Sequence, residues 1–174
     1  MRVLLTIYDF ECRLFQLVNN HFENKHLNLL FRNITHMGGA TFTILTVLSL
    51  IIFSSNDARI VALACALSLS ISHLPVFLIK KFYPRKRPYL ALKSVRFPSN
   101  PLRDHSFPSG HTTAIFSILI PYILYLPSLS LVLIPIGLLV GISRVYLGLH
   151  YPSDVMAGGL LGSMVGGVCF TLLM

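Results

Sequence analysis

Residues 143–154, with the sequence SRVYLGLHYPSD, place three ionisable side chains between two long apolar segments. His150 and Asp154 are four residues apart, so on a helical turn they share one face, where the carboxylate can hold one imidazole nitrogen protonated. The other nitrogen is then available as a nucleophile or a base. Arg144 adds a permanently charged fork suited to phosphate or carboxylate oxygens. The stretch predicts chemistry on an anion; the alternative is a capped helix whose arginine extends to lipid headgroups.

Two further polar clusters precede this stretch. FPSGH, at residues 107–111, is a turn before an apolar segment, and its glycine allows backbone amides to approach a ligand closely. The unpaired amides and positive dipole end of a helix start make this an anion site beside His111; the alternative is an ordinary helix start. Lys80 and Arg87 form the other cluster, for which a positively charged membrane flank is the alternative. We expect the neighbouring basic residues to be only such a flank: Lys81, Arg85 and Lys86.

Composition places the chain in a membrane. Its 174 residues suit one domain, 54% of them are hydrophobic, and the mean hydropathy of +0.72 is too high for a soluble globule of this size. The net charge of +8 predicts an anionic partner, which in a membrane protein means lipid headgroups or a phosphorylated substrate. No interleaved basic and aromatic pattern indicates nucleic acid, and the three cysteines lack metal-ligand spacing.

The apolar segments predict an all-α helical bundle with five transmembrane helices: residues 37–53, 60–79, 111–126, 129–147 and 155–174. We expect residues 1–25 to carry an amphipathic helix in the membrane interface and residues 80–107 to form a basic active-site loop. Each span reverses the side, so the loops after the second and fourth spans open on one face, where the three clusters can meet. Glycines at four-residue steps in the last span predict close helix packing, within the chain or between copies: Gly158, Gly162 and Gly166.

Together the three clusters resemble a known three-part signature. K(x6)RP at residues 80–88, PSGH at residues 108–111 and SR(x5)H(x3)D at residues 143–154 are similar, in order and at every position, to the motifs of the type 2 phosphatidic acid phosphatase family. That family also includes soluble acid phosphatases and vanadium haloperoxidases. The motifs span roughly half of the chain, and the region before Lys80 matches only in general character.

The resemblance implies a role for each motif residue. His150 would attack phosphorus to form a phosphohistidine, Asp154 would orient it, and His111 would protonate the leaving oxygen and then activate water. Five residues would hold the phosphoryl oxygens: Lys80, Arg87, Ser109, Gly110 and Arg144. Phosphoryl transfer mainly needs positioning and charge neutralisation, so no cofactor or metal is expected, and Asp104 is the only acidic residue of the long loop.

The expected substrate is a lipid phosphate that enters from the bilayer. Undecaprenyl diphosphate, phosphatidylglycerol phosphate and phosphatidate all suit such a site. The alternatives are a non-hydrolytic lipid-phosphate binding protein or transporter, and a lipid phosphotransferase; the oligomeric state stays open. The positive-inside rule would put the basic active-site face in the cytoplasm, whereas membrane proteins resembling this chain commonly place it outside. We favour the extracytoplasmic face, because cations near a phosphate site have a second explanation.

Overall fold

The computed structural model describes residues 2–174, with side chains from residue 6 onward, and this part of the chain contains helices and no β-strand. It forms eight α-helices: α1 Arg2–Asn19, α2 Lys25–Ile34, α3 Ala40–Phe53, α4 Asn56–Phe82, α5 Pro88–Ala91, α6 Gly110–Tyr125, α7 Ser130–Tyr146 and α8 Pro152–Leu173. The prediction of an all-α fold is confirmed. Residues 92–109, between α5 and α6, contain no helix, in line with the prolines and basic residues of that loop.

In the described part of the chain, three helical segments are long and apolar enough to cross a membrane: Asn56–Phe82, Pro127–Tyr146 and Pro152–Leu173. A fourth is obtained if Lys25–Gly38 and Ala40–Phe53, which meet at 56°, are counted as one bent span. The protein is therefore a multi-pass membrane protein. Of the five predicted spans, the first is shorter than expected, because the 14 residues of α3 reach only about 21 Å at 1.5 Å per residue. The third predicted span, α6, is apolar, but its 16 residues are fewer than the roughly 20 of a typical transmembrane helix.

The bend before α3 lies close against the start of α6. A short 3-10 turn, Thr35–Gly38, follows α2, and α3 begins two residues later. A Cβ atom on Gly38 would lie 2.7 Å from the backbone oxygen of His111, so only glycine fits there. The turn thus brings Thr35 next to the residues of the second and third motifs.

The centre of the bundle is α6, which packs against α4, α7 and α8. Cβ atoms on Gly158 and Gly162 would lie 2.5 and 2.4 Å from the backbone oxygens of Ser109 and Thr113, so these glycines let α8 contact α6 directly. The predicted close packing is confirmed, and it lies within the chain. At the end of this contact the Ser109 amide donates to the Asp154 carbonyl oxygen at 3.0 Å, which fixes the start of α8 against the start of α6.

Helix α1 packs across the bundle at the end where α8 begins. Its Phe15 is fully buried, with its ring centroid 5.9 Å from that of Tyr151. The side-chain amide of Asn19 donates to the Tyr146 carbonyl oxygen at 2.9 Å and to that of Arg96 at 2.8 Å. The N-terminal helix is therefore held by specific contacts with α7, α8 and the long loop.

Candidate active site

The helix ends of the bundle deliver the three motifs to one place. Lys80 lies in the last turn of α4, Arg87 directly precedes α5, and Arg144 lies in the last turn of α7. A cavity of about 450 Å³ is bordered by polar residues of all three motifs and by one residue of the long loop: Lys80, Arg87, Asp104, Gly110, His111 and His150. A second cavity of about 320 Å³ reaches His111 and Arg144 from the side of Thr35. The predicted meeting of the motifs is thus observed.

His150 lies in the loop between α7 and α8 and is buried. Its Nε2 atom is 3.1 Å from Nη1 of Arg87, and its Nδ1 atom is 3.5 Å from Oδ2 of Asp154. Because a guanidinium only donates, Nε2 must be the unprotonated nitrogen, and the ring proton is on Nδ1, facing the carboxylate. The 3.5 Å separation is longer than a hydrogen bond, as is common for catalytic contacts before substrate binds.

The charge state of His150 follows from its surroundings. Burial, which disfavours the imidazolium, lowers the pKa of His150 to about 3, and the nearby Arg144 and Arg87 act in the same direction while Asp154 opposes them. The ring is therefore neutral at physiological pH. A neutral imidazole with a lone pair on Nε2 is the form that a nucleophile needs.

Asp154 is held by more partners than its motif predicts. Its Oδ1 atom accepts from Nη1 of Arg85 at 2.7 Å, and its Oδ2 atom accepts from the Tyr151 amide at 2.8 Å and from the Ser106 hydroxyl. The expectation that Arg85 only flanks the membrane is wrong, because its guanidinium is paired with this carboxylate. Lys81 and Lys86 are exposed, as expected for a flank. Nothing in the sequence separates Arg85 from those neighbours.

Arg87 and Lys80 share a carboxylate that sequence reasoning did not include in the site. Arg87 is buried, and its Nη2 atom donates to Oδ1 of Asp104 at 2.6 Å, while Lys80 forms an ion pair with Oδ2. Other donors of Arg87 bind the carbonyl oxygens of Asp104 and Leu149 at 2.8 and 2.7 Å. Burial alone would raise the pKa of Asp104, but Lys80 and Arg87 lower it to about 2. Asp104 therefore occupies the cationic groups that are expected to bind phosphate.

Arg144 differs from Arg87 because part of its guanidinium has no partner. The residue is 2% exposed, and Nη1 donates to the Thr35 hydroxyl at 2.8 Å. Its Nε and Nη2 atoms have no hydrogen-bond partner among the residues that the structure describes. Buried donors of this kind are rare in proteins and mark a position where an acceptor is needed. The arrangement can hold an oxyanion at two points.

The PSGH turn organises the start of α6. The Ser109 hydroxyl lies 2.9 Å from that of Thr112 and caps the helix, and its amide is bonded to the Asp154 carbonyl oxygen. The first intrahelical hydrogen bond runs from the Thr113 amide to the Ser109 carbonyl oxygen, so the amides of Gly110 and His111 precede it. Direct contact of Ser109 with a substrate stays a prediction, whereas Gly110 and His111 border the cavity.

Within the described part of the chain, no three His, Cys, Asp or Glu side chains are grouped so that they could hold a metal ion. The carboxylates of Asp104 and Asp154 are paired with arginine and lysine side chains.

Comparisons with known proteins agree with the motifs. Residues 57–174 match the family described as the PAP2 superfamily. The undecaprenyl-diphosphatase BcrC of Bacillus subtilis (strain 168) is 34% identical over 94 residues, which cover 54% of this chain and 48% of that protein. The matched part of the chain spans at most about half the length of curated relatives such as this one.

Two solved structures share the fold over nearly the whole chain. The crystal structure of LpxE from Aquifex aeolicus superposes with a TM-score of 0.81 and 27% identity, covering 92% of this chain and 94% of that one. A transmembrane PAP2 type phosphatidylglycerolphosphate phosphatase from Bacillus subtilis gives a TM-score of 0.78 and 23% identity, covering 96% and 86%. The arrangement of helices around α6 is thus that of known membrane proteins.

Proposed function

Because this chain belongs to the PAP2 superfamily, we propose that it is an integral membrane lipid phosphatase that works through a phosphohistidine at His150. The observation that carries the proposal is the state of His150, which is buried and neutral, with its Nε2 lone pair directed at Arg87 and its Nδ1 proton facing Asp154. A protein that only binds lipid phosphates would need the cations but not this oriented pair.

The reaction has two steps. Nε2 of His150 attacks phosphorus and forms an N–P bond as the bond to the leaving oxygen breaks; His111 donates its proton to that oxygen. His111 then takes a proton from water, whose oxygen attacks the phosphohistidine, and inorganic phosphate leaves as the N–P bond breaks. Asp154 holds the Nδ1 proton in place throughout, which stabilises the positive charge that develops on the ring.

The cations stabilise the charge on the transferred group. Nε and Nη2 of Arg144 take up two phosphoryl oxygens, and the amides of Gly110 and His111 add the positive end of α6. Arg87 turns Nη1 from Nε2 of His150 to an oxygen, and Lys80 exchanges Asp104 for phosphate. Ser109 holds the turn that presents these amides and remains a proposed ligand. None of these steps uses a metal ion.

The substrate reaches this site from the bilayer. The larger cavity continues along one face of α4, past Val76 and the exposed ring of Phe77, so an apolar chain can stay in lipid while its phosphate meets Lys80. We propose a lipid phosphomonoester or diphosphate. Undecaprenyl diphosphate comes first among the candidates, since the relative from Bacillus subtilis carries that activity in its name; phosphatidylglycerol phosphate and phosphatidate are the others.

We further propose the topology that this route requires. Residues 1–174 form a single domain with five spans, in which the bent α2 and α3 make the first, α4 the second, α6 the third, α7 the fourth and α8 the fifth. Helix α1 lies in the interface, and the active site faces the extracytoplasmic side. Labelling of Ser99→Cys, in a variant without the native cysteines, by an impermeant thiol reagent on intact cells tests the orientation; labelling only after permeabilisation contradicts it.

Phosphate release by the detergent-purified protein tests the activity. We expect release from at least one of the three lipids in the presence of a chelator, its absence in His150→Ala, and an acid-labile phosphoenzyme in the wild type. The kcat/KM values rank the substrates. A folded wild type that binds these lipids without releasing phosphate would support a binding or transport role instead, and transfer of phosphate to an added lipid alcohol would support a phosphotransferase.

A further inference from the structure

We propose that Glu11 and Arg85 are positioning residues for the catalytic pair of His150 and Asp154, so that helix α1 completes the active site. The inference rests on the proposed function of that pair. Neither residue is a fixed position of the three motifs: Arg85 lies at a variable position of the first motif, and Glu11 lies outside the residues 57–174 that match the family.

One guanidinium joins two carboxylates beside the site. Nη1 of Arg85 donates to Oδ1 of Asp154 at 2.7 Å and to the Ser153 hydroxyl at 2.8 Å, and Nη2 donates to Oε2 of Glu11 at 2.7 Å. The other oxygen of Glu11 accepts from the Ser153 amide at 2.9 Å. Glu11 therefore holds both the arginine that orients Asp154 and the first turn of the helix that carries Asp154.

The position of the guanidinium is fixed from a second direction. Its central carbon lies 4.0 Å from the centre of the Tyr151 ring, a stacking distance. The Arg85 carbonyl oxygen accepts from the Ser106 amide at 2.9 Å, and the Ser106 hydroxyl donates to Oδ2 of Asp154. The two oxygens of Asp154 are thus held by the side chains of Arg85 and Ser106, which are themselves joined by a backbone hydrogen bond. This leaves the carboxylate little freedom to turn away from Nδ1 of His150.

Helix α1 is shaped for this contact. Tyr8, Glu11 and Phe15 are spaced by three and four residues and share one face. The rings of Tyr8 and Phe15 lie 6.2 and 5.9 Å from that of Tyr151, so they surround the residue on which Arg85 stacks. The Glu11 side chain is 11% exposed, and a carboxylate this buried needs its cation. Removal of Arg85 would leave two neighbouring carboxylates without the charge between them.

The test compares steady-state kinetics of the purified wild-type protein with those of Arg85→Lys and Glu11→Gln, on the lipid that the wild type hydrolyses best. Lysine keeps the charge, but its single ammonium nitrogen lacks the planar fork with which Arg85 joins the two carboxylates. Glutamine keeps the shape of Glu11 but not its charge. We expect kcat to fall about ten- to hundredfold, as for other partners that orient a reacting group, with KM changed by less than about twofold. Glu23→Gln is the matched control, since it removes an exposed pair with Arg96 at 3.3 Å, and it should leave kcat unchanged.

A double variant separates positioning from general stability. If Arg85 acts through Asp154, then Arg85→Lys combined with Asp154→Asn is no slower than Asp154→Asn alone, while unrelated defects would multiply. Full kcat in both single variants, or multiplying effects, would overturn the inference. A loss of kcat in Glu11→Gln at an unchanged unfolding midpoint supports it even if Arg85→Lys fails to fold. If the wild-type protein itself shows no turnover, the result would contradict the proposed function instead.

Discussion

Replacement of Arg144 by methionine should make the protein more stable and much less active. Arg144 is buried, and its Nε and Nη2 atoms have no partner among the described residues, although they carry a charge. Methionine fills a similar space without a charge. Replacing a buried ion pair by well-packed apolar side chains is often neutral or stabilises a protein by about 1–4 kcal/mol, and an unsatisfied buried donor is unfavourable by about 1–3 kcal/mol. Against this, the Thr35 hydroxyl loses one hydrogen bond, worth about 1 kcal/mol. We expect a net gain of up to about 3 kcal/mol.

The effect on activity has the opposite sign. In the proposed mechanism Arg144 donates two charge-assisted hydrogen bonds to phosphoryl oxygens, worth about 1.5–3 kcal/mol each, so their loss should lower kcat/KM by about a hundredfold to ten-thousandfold. Enzymes commonly combine a strained or unsatisfied site with function in this way.

Stability can be measured with the protein's own thiols. The sequence has no tryptophan, but Cys65 and Cys169 are buried and react with a thiol dye only when the bundle opens. The midpoint of thermal unfolding in detergent should rise for Arg144→Met and stay constant for Arg59→Met, in which an exposed arginine is replaced. A lower midpoint for Arg144→Met would refute the reasoning, since it would mean that the guanidinium stabilises the fold.

Three further predictions concern acid stability and helix packing. The pKa of His150 in the folded protein, about 3, lies below the ordinary value of about 6.5, so the unfolded chain takes up a proton first as the pH falls. The free energy of unfolding should therefore decrease as the pH falls from about 6.5 to about 3. Circular dichroism melts of His150→Gln should lack that decrease. The pKa of Asp104 is lowered to about 2, so its ion pairs contribute stability above pH about 4 that is lost toward pH 2, and Asp104→Asn should lack this loss. Gly162→Ala should destabilise the protein by about 1–3 kcal/mol, because its Cβ would lie 2.4 Å from the Thr113 oxygen, whereas Gly167→Ala, with nothing within 4 Å, should be neutral or stabilising in the same thermal assay.

The motifs could be predicted to meet because they depend on spacing and chain direction. His150 and Asp154 are one helical turn apart, and apolar segments between the motifs return the chain to one face, so no knowledge of side-chain packing was needed. The motif residues that border the cavity were predicted on this basis. The close packing at Gly158, Gly162 and Gly166 of α8 could also be predicted, since their four-residue spacing is visible in the sequence itself.

The partners of Asp154 and Arg87 could not be predicted, because they depend on contacts between distant parts of the chain. Glu11 is 142 residues from Ser153, and Arg85 sits among basic neighbours that are exposed to the surroundings. The short α3 was missed although Gly38 and Gly39 form a local turn signal, and the close contact of Gly38 with His111 could not be predicted from the sequence. Hydropathy alone reports an apolar run whether it is straight or bent.

The length of α6 has a consequence for how the protein sits in a bilayer. Its 16 residues reach about 24 Å, against about 30 Å for the hydrocarbon layer, and it begins at the PSGH turn. Most of α6 is buried against neighbouring helices, so as the proposed third span it would leave a mismatch of about 6 Å that these helices cover in part. A PSGH turn set below the level of the headgroups would require the proposed lipid phosphate to move toward the membrane interior to react. We expect turnover to depend on acyl-chain length in reconstituted vesicles, with thinner bilayers bringing the headgroup layer nearer to the site.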